Sequence, residues 1–345
     1  MIKKKTIWFD FENAPHVWVL KPIYDYFNEK GYECICSARN FSYTIDLLKN
    51  AGIKADTQGF IVSKNKLIKI ISTFMRVCKL VYLYKRRKID LAISHGSRTQ
   101  ILAAKILRVP VISMDDYEKS DQLLVKFVER LIVPEVIDKS TWGKYQNKIV
   151  SYPGLKEHIY LCNFPKPRAI LKRLELNNDR VIIVLRPEAP TSHYYDRKST
   201  ELLWCILKYL IQFKNIIIIL FPRNKSQAKK ITHFFDKWRV NYTLPSPKFY
   251  SFEIVSIADL VIGGGGTMLR EAASLGIPTY SYFTGPWGDV DKYLLKEGYL
   301  AKIESEEDIK KIVIKKKNRN LCRVNSATKE FVINYLENYL ACQTG

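Results

Sequence analysis

The sequence predicts an α/β protein built from two parallel-sheet units in succession, and three observations carry that prediction. Short apolar runs alternate with segments of helical periodicity along most of the chain, the order expected of parallel sheets covered by helices. The alternation lapses once, across the proline-bearing stretch PGLKEHIYLCNFPKPR at 153–168, and then resumes. The 345 residues are more than most single cores hold and suit two domains of ordinary size.

In the first unit the strand-like runs are Thr6–Asp10, Glu33–Ser37, Asp90–Ser94, Val109–Met114, Leu131–Pro134 and Lys148–Tyr152, with helical patterns in most of the gaps. The second alternation begins at Arg180, with strands expected at Val181–Leu185, Ile216–Phe221, Asn241–Leu244, Asp259–Ile262 and Thr279–Phe283. The domain organisation read from this is 1–155, a linker at 156–179, a second domain at 180–323, and a C-terminal helix within 324–345. That last helical stretch, Asn325–Leu340, is expected to cross back onto the first unit.

A hydrophobic fraction of 47% with six Trp and 21 Tyr is ample for folded cores. The seven cysteines are odd in number and lack C-x-x-C spacing; Cys34 and Cys36 alternate on one strand face and read as core thiols in a reducing cytoplasm. After Lys3–Lys5 the apolar run Ile7–Phe9 stops at Asp10, so no secretory signal is expected. Ile216–Phe221 is far too short to span a bilayer. A cytoplasmic protein, soluble or peripheral on the inner face of the membrane, is expected.

The net charge of +22 is partly concentrated: from Thr57 to Ile89 there is no acidic residue, while Lys64, Lys66, Lys69, Arg76, Lys79 and the run Lys85–Lys88 are basic. On a helix, Lys66, Lys69, Arg76 and Lys79 share one side, and Leu67, Ile70, Phe74, Cys78 and Val81 the other. The expectation is a helix packed by its apolar side, with a basic back that can attract an anionic membrane through the segment Lys64–Lys88.

In open α/β sheets ligands bind beyond the carboxyl ends of the strands, so the loops there are where chemistry is sought. The loop DFENAPHVWVLKP at 10–22 places Asp10, Asn13 and His16 at one strand end; SHGSRTQ at 94–100 adds His95, Gly96 and Ser97; SMDDYEKSDQ at 113–122 adds Asp115, Asp116 and Glu118. Histidine near neutral pH serves as a general base or donates to a phosphate. Helix capping by Asn13 around a packed His16 is the bland alternative. In the second unit, VIGGGGTMLREAASLGIP at 261–278 joins a strand to a helix through four glycines, Gly263–Gly266, followed by Thr267 and, just over one turn on, Glu271. Free N–H groups and the helix dipole favour an anion there, and a carboxylate one turn further can accept from a ribose diol. The loop has neither Walker nor G-x-G-x-x-G spacing, and tight strand-to-helix packing would also account for its glycines. Arg186, Glu188 and His193 follow one strand and Arg223 the next, and with the glycine loop they line one edge with cations and amides, which suits a diphosphate.

The two units together resemble a GT-B fold, two Rossmann-like domains facing across a cleft. The glycine loop, Glu271 and the following LGIP resemble the nucleotide-binding segment shared by the peptidoglycan N-acetylglucosaminyltransferase and the UDP-N-acetylglucosamine 2-epimerases. More closely, WFDFENAPHVWVLKPI, DLAISHGS, YPGLKE and GGGGTMLREAASLGIP resemble in order and spacing a family of bacterial and archaeal proteins known as domain of unknown function 354, across roughly Ile7–Lys302. In place of the transferase's Gly-Gly-His loop the chain has NAPH, with His16 at the matching place.

The resemblance implies a nucleotide sugar as substrate and no bound cofactor. UDP would rest its diphosphate on Gly264, Gly265, Gly266 and Thr267 with Arg186 or Arg223, its ribose on Glu271, and its uracil near Pro245–Phe249. The sugar would meet His16, His95 and Asp116. No metal is needed in that mode. The first expectation is a glycosyltransferase that moves a sugar from UDP to a membrane-linked or polysaccharide acceptor, with His16 or Asp116 as base and Asn13, His95 and Ser97 binding substrate. The second is an epimerase or hydrolase of the UDP-sugar using an acid/base pair such as Asp116 and Glu118. The third, a non-catalytic polyanion binder, suits the charge but not Asp115, Asp116 and Glu118 at a strand end, and no nucleic-acid partner is expected.

Overall fold

The computed structural model describes residues 5–41, 43–58, 66–119, 122–162, 167–176, 179–188, 196–246, 249–317 and 324–343. They divide into two units, Met1–Tyr160 with Asn325–Gly345, and Leu161–Val324. The stretch 156–179 is therefore not one connector: its first residues close the first unit, and a short helix at Pro167–Arg173 opens the second.

In the first unit, β1 (Thr6–Phe11), β2 (Glu33–Arg39), β3 (Asp56–Gln58), β4 (Leu91–His95), β5 (Val111–Met114), β6 (Arg130–Pro134) and β7 (Ile149–Tyr152) form one parallel sheet in the order β3-β2-β1-β4-β5-β6-β7. Between them run α1 (Ala14–Glu29), α2 (Thr44–Asn50), α3 (Lys66–Tyr84), α4 (Arg98–Leu107), the one-turn α5 (Gln122–Val125) and a 3₁₀ segment at Lys139–Lys148; the one-turn α6 (His158–Leu161) follows β7. β3 was not expected, because Asp56–Gln58 offers no apolar run to betray a strand at the sheet edge. Every residue of β1 is buried, as a central strand covered on both faces requires. The register sets Asp10 opposite Ser37 and Ser94, and Ser94 opposite Ser113, so the loops after β1, β4 and β5 leave the sheet at one level.

The second unit contains α7 (Pro167–Arg173), β8 (Val181–Arg186), α8 (Arg197–Leu210), β9 (Ile216–Leu220), α9 (Lys225–Lys237), β10 (Tyr242–Thr243), α10 (Ser251–Ser256), β11 (Leu260–Gly263), α11 (Thr267–Ser274), β12 (Thr279–Ser281), α12 (Asp289–Lys296), β13 (Ala301–Lys302) and α13 (Glu306–Lys310). Its parallel sheet runs β10-β9-β8-β11-β12-β13. Ile183, Leu185, Ile218 and Leu220 on one sheet face pack with Leu203, Ile206 and Leu210 of α8 and Phe235 of α9. In both sheets the first strand lies beside the fourth, so the chain order reverses between β1 and β4 and between β8 and β11. A crevice for ligands opens at such a switch point.

The last helix, α14 (Ala327–Cys342), belongs to the first unit. Thr328 donates to the Pro153 carbonyl at 2.6 Å, Tyr26 of α1 donates to Glu337 at 2.8 Å, and Lys5 reaches the Leu340 carbonyl.

The orientation of α3 is opposite to the sequence expectation. Its inward side is Ser72, Arg76, Val77, Leu80 and Tyr84, whereas Leu67, Ile70, Phe74 and Cys78 are exposed. Arg76 is turned inward because Asp10 lies beneath it, and a buried cation bonded to a buried carboxylate replaces the apolar packing that periodicity alone suggested. Lys64 lies outside the described residues.

Candidate functional site

At the switch point of the first sheet the chain turns sharply after β1. Asp10, fully buried, accepts from Ser37 Oγ, from Arg76 Nη2 at 2.6 Å and from Ser97 Oγ at 2.5 Å. Arg76 also donates to Thr99. Ser97 accepts in turn from the Gln100 N–H at 3.2 Å and so caps α4, which occupies the hydroxyl expected to bind substrate. Beside this network Glu12 faces Arg39 at 3.5 Å, and burial, reinforced by the charge of Asp10, pushes its carboxyl above the usual range.

From that anchored turn α1 begins. Asn13 holds the N-cap position in extended conformation, yet its side chain makes no bond to the helix, so capping does not explain the residue. One turn on, the His16 ring lies 4.7 Å from the ring of His95, which ends β4. His95 Nε2 is 3.5 Å from Asp116 Oδ1 on the loop after β5, and Lys156 pairs with the other oxygen of Asp116 and, at 3.0 Å, with Glu157. Three strand-end loops and the segment after β7 thus converge on a linked set of His16, His95, Asp116, Lys156 and Glu157. Glu118 is buried on the Asp116 loop. A cavity of about 100 Å³ is lined by Gly96, Arg98, Ser113 and Asp115 together with apolar residues such as Leu124 and Val128.

His16 Nδ1 is buried and, among the described residues, has no hydrogen-bond partner. Burial lowers the imidazole well below its ordinary value; His95 and Lys156 push the same way and Asp116 opposes them. A neutral imidazole with an unsatisfied nitrogen is in the form that a general base requires near pH 7. Lys156 and Glu157 were not singled out as site residues from sequence: they fall in the stretch read as a linker, and the signal that could have found them was the motif YPGLKE itself. Among the described residues, no group of three or more His, Cys, Asp or Glu side chains could hold a metal ion.

At the switch point of the second sheet lie the loops after β8 and β11. A Cβ on Gly263 would stand 2.8 Å from the Arg186 carbonyl, and one on Gly264 would stand 2.6 Å from the Glu188 Cβ and 2.7 Å from its Cα. These two glycines serve the packing of one strand end on another. Gly265 and Gly266 differ, since they adopt φ of +87° and +103°, left-handed backbone that favours glycine; a Cβ on Gly265 would stand 3.3 Å from Phe283 Cγ, and one on Gly266 would stand 3.7 Å from Arg223 Nη2. Gly266 is the N-cap of α11, and no side chain caps the helix there. Arg223, exposed at the same place, donates through Nε to the Pro187 carbonyl at 3.1 Å and sets Nη2 3.5 Å from the Gly265 carbonyl. An uncapped helix N-terminus beside a guanidinium is a seat for a phosphate.

The other predicted residues of this unit have clear places. Arg186 donates to the carbonyls of Phe221 at 2.9 Å and Pro222 at 3.2 Å, so it braces the loop that carries Arg223. Glu188 accepts from Thr200 at 2.8 Å and from Tyr282 at 3.0 Å, and burial together with that carboxylate raises the Tyr282 phenol well above its ordinary value. Glu271 is only 1% exposed in the second turn of α11, and its Oε1 accepts from Ser251 of α10 at 3.1 Å. Near the expected uracil position, the Arg173 guanidinium lies 4.5 Å over the Phe249 ring. His193 and residues 247–248 lie outside the described residues.

Comparison with known proteins places this geometry. Residues 5–340 match the family described as "Protein of unknown function (DUF354)". An uncharacterized protein of Methanocaldococcus jannaschii is 28% identical over 319 residues, 89% of each chain. Among solved structures, the Methanocaldococcus jannaschii UDP-GlcNAc 2-epimerase in complex with UDP-GlcNAc and UDP is similar at TM-score 0.72 and 15% identity, over 96% of this chain and 99% of that one. The S. aureus MnaA-UDP co-structure is similar at 0.74 and 15% identity, over 98% and 97%. Acinetobacter baumannii MurG is similar at 0.56 and 14% identity, over 97% and 99%. At these identities the likeness establishes the fold class alone, that of GT-B proteins with two Rossmann-like domains.

Proposed function

We propose, for a chain that belongs to the DUF354 family, an enzyme acting on a UDP-sugar, and within that class a glycosyltransferase that delivers the sugar to a lipid-linked or polysaccharide acceptor. Each unit by itself supplies an observation that supports this reading. The second unit offers an anion seat at the N-terminus of α11 with a buried carboxylate one turn on, and the first offers neutral His16 linked to His95, Asp116 and Lys156.

In this reading the diphosphate rests on the backbone of Gly265, Gly266 and Thr267 beside Arg223, and Glu271 accepts from the ribose hydroxyls. Arg186 acts indirectly, by holding the Arg223 loop. The His16 imidazole takes the proton of the acceptor hydroxyl as the hydroxyl oxygen attacks the sugar carbon. Asp116 steadies His95 against the His16 ring, and Lys156 holds Asp116 in place. The bond from that carbon to the diphosphate breaks, and the helix dipole with Arg223 takes up the charge that develops, so the step asks for no metal.

The greater likeness to the two UDP-linked structures than to MurG favours a second reading, in which the same acid/base groups invert a centre of the UDP-sugar itself. Purified protein incubated with a panel of UDP-sugars separates the two. Transfer releases UDP only when an acceptor extract is added, whereas epimerisation yields an epimeric UDP-sugar without one. Calorimetry tests the shared premise: UDP binds, and Glu271→Ala weakens it by about 1–3 kcal/mol through lost charged hydrogen bonds. A wild-type protein that ignores UDP sinks both readings.

A further inference from the structure

We propose that the outward apolar face of α3 docks the first unit on an anionic lipid surface. Leu67, Ile70, Ile71, Phe74, Met75 and Tyr82 recur at helical spacing and share that face, with Leu67 69%, Phe74 67% and Tyr82 74% exposed. The stripe from Leu67 to Tyr82 is about 22 Å long at ~1.5 Å per residue. A contiguous apolar patch of this kind on a helix otherwise well anchored marks an interaction site.

The anchoring is on the opposite side and does not compete with docking. Arg76 reaches Asp10 and Thr99, Tyr84 donates to Asp56 at 3.1 Å, and Val77 and Leu80 are buried. The helix is therefore held by Arg76, Val77, Leu80 and Tyr84, while most of its large hydrophobes face away.

Charge selects the occupant. Lys79 is exposed on α3, and Lys85, Arg86 and Lys88 are exposed just beyond its end. Among the described residues none of the four has an acidic partner, whereas neighbouring Arg87 pairs with Glu33 at 3.3 Å. Lys85 lies 4.7 Å over the ring of Tyr82, so cation and apolar stripe are continuous. A second copy of this chain, itself at +22, would set the same cations against one another across a symmetric pairing. Lipid phosphates over acyl chains complement both halves of the surface at once. No helix among the described residues is long and apolar enough to cross a membrane, so α3 lies in the interface plane.

The test is co-sedimentation of the full chain with vesicles of phosphatidylglycerol and phosphatidylcholine, and with phosphatidylcholine alone. The wild type is expected to pellet with the anionic vesicles, with affinity falling as salt shortens the Debye length. Ile71→Ser with Phe74→Ser should release it. Lys79→Glu with Arg86→Glu should weaken binding by roughly fivefold or more per cation, from about 1 kcal/mol each at the surface. Both pairs are exposed, so circular dichroism and UDP affinity should stay at wild-type values, which separates this inference from the nucleotide reading. Absence of binding to anionic vesicles overturns it. So does wild-type binding by the serine variant, or dimerisation in light scattering that the serine variant abolishes while no vesicle binding is seen.

Discussion

Arg76→Met distinguishes a buried structural cation from a surface basic residue, and its magnitude follows from the structure. Asp10 is fully buried and Arg76 is 1% exposed, with 2.6 Å between Nη2 and Oδ1. Methionine fills much of the space but takes the guanidinium from Asp10, which, among the described residues, keeps the hydroxyls of Ser37 and Ser97 as donors. Removing one partner of a buried pair costs roughly 3–5 kcal/mol, and the two remaining donors place the expected loss near the lower end, about 3 kcal/mol. Against a domain stability on the order of 5–15 kcal/mol that is a severe lesion. Lys79→Met, on the exposed side of the same helix, should change stability by no more than about 0.5 kcal/mol. Asp10→Asn added to Arg76→Met should recover part of the loss, because no charge is then stranded. The assay is urea-dependent hydrogen exchange read by mass spectrometry in peptides from β1 and α3, which reports the first unit alone. An Arg76→Met protein as stable as Lys79→Met would refute the buried pair as the anchor of α3.

His16→Ala should lower turnover by about a hundredfold or more while leaving UDP affinity nearly unchanged, measured by steady-state kinetics beside calorimetry; full turnover would reduce His16 to a packed ring. Its depressed value also bears on stability: the unfolded imidazole protonates near pH ~6.5 while the folded one resists, so its contribution is present above that pH and is lost as pH falls toward the lowered folded value. His158, also lowered by burial, acts with the same sign, so His16→Asn should flatten the loss of stability below pH ~6.5 only in part. Denaturation midpoints of both proteins between neutral and mildly acid pH check this, and parallel curves would contradict it.

Much of this molecule is legible in residues a few places apart. A buried parallel strand needs a short apolar run and a covering helix needs a stripe, so the order of most strands, the pause between two units and the final helix could be read along the chain. His16, His95 and Asp116 were legible for a related reason: each follows an apolar run at once, and parallel strands bring all such ends to one edge of a sheet. The glycine loop was legible as a strand-to-helix turn, but not that Gly263 and Gly264 answer to the approach of Arg186 and Glu188 while Gly265 and Gly266 answer to left-handed backbone.

Other features depend on partners distant in sequence. Periodicity shows that α3 has two sides and is blind to which faces inward; Asp10, far earlier in the chain, draws Arg76 down and turns the large hydrophobes outward. Lys156 looks like any lysine until the end of β7 carries it to Asp116. The bond from Ser97 to Asp10, and those from Arg186 Nη1 to the carbonyls of Phe221 and Pro222, likewise join segments far apart in the chain. Local pattern records how a segment buries its own apolar surface, whereas the pairing of a buried charge is a contact between segments, and only the folded chain selects it.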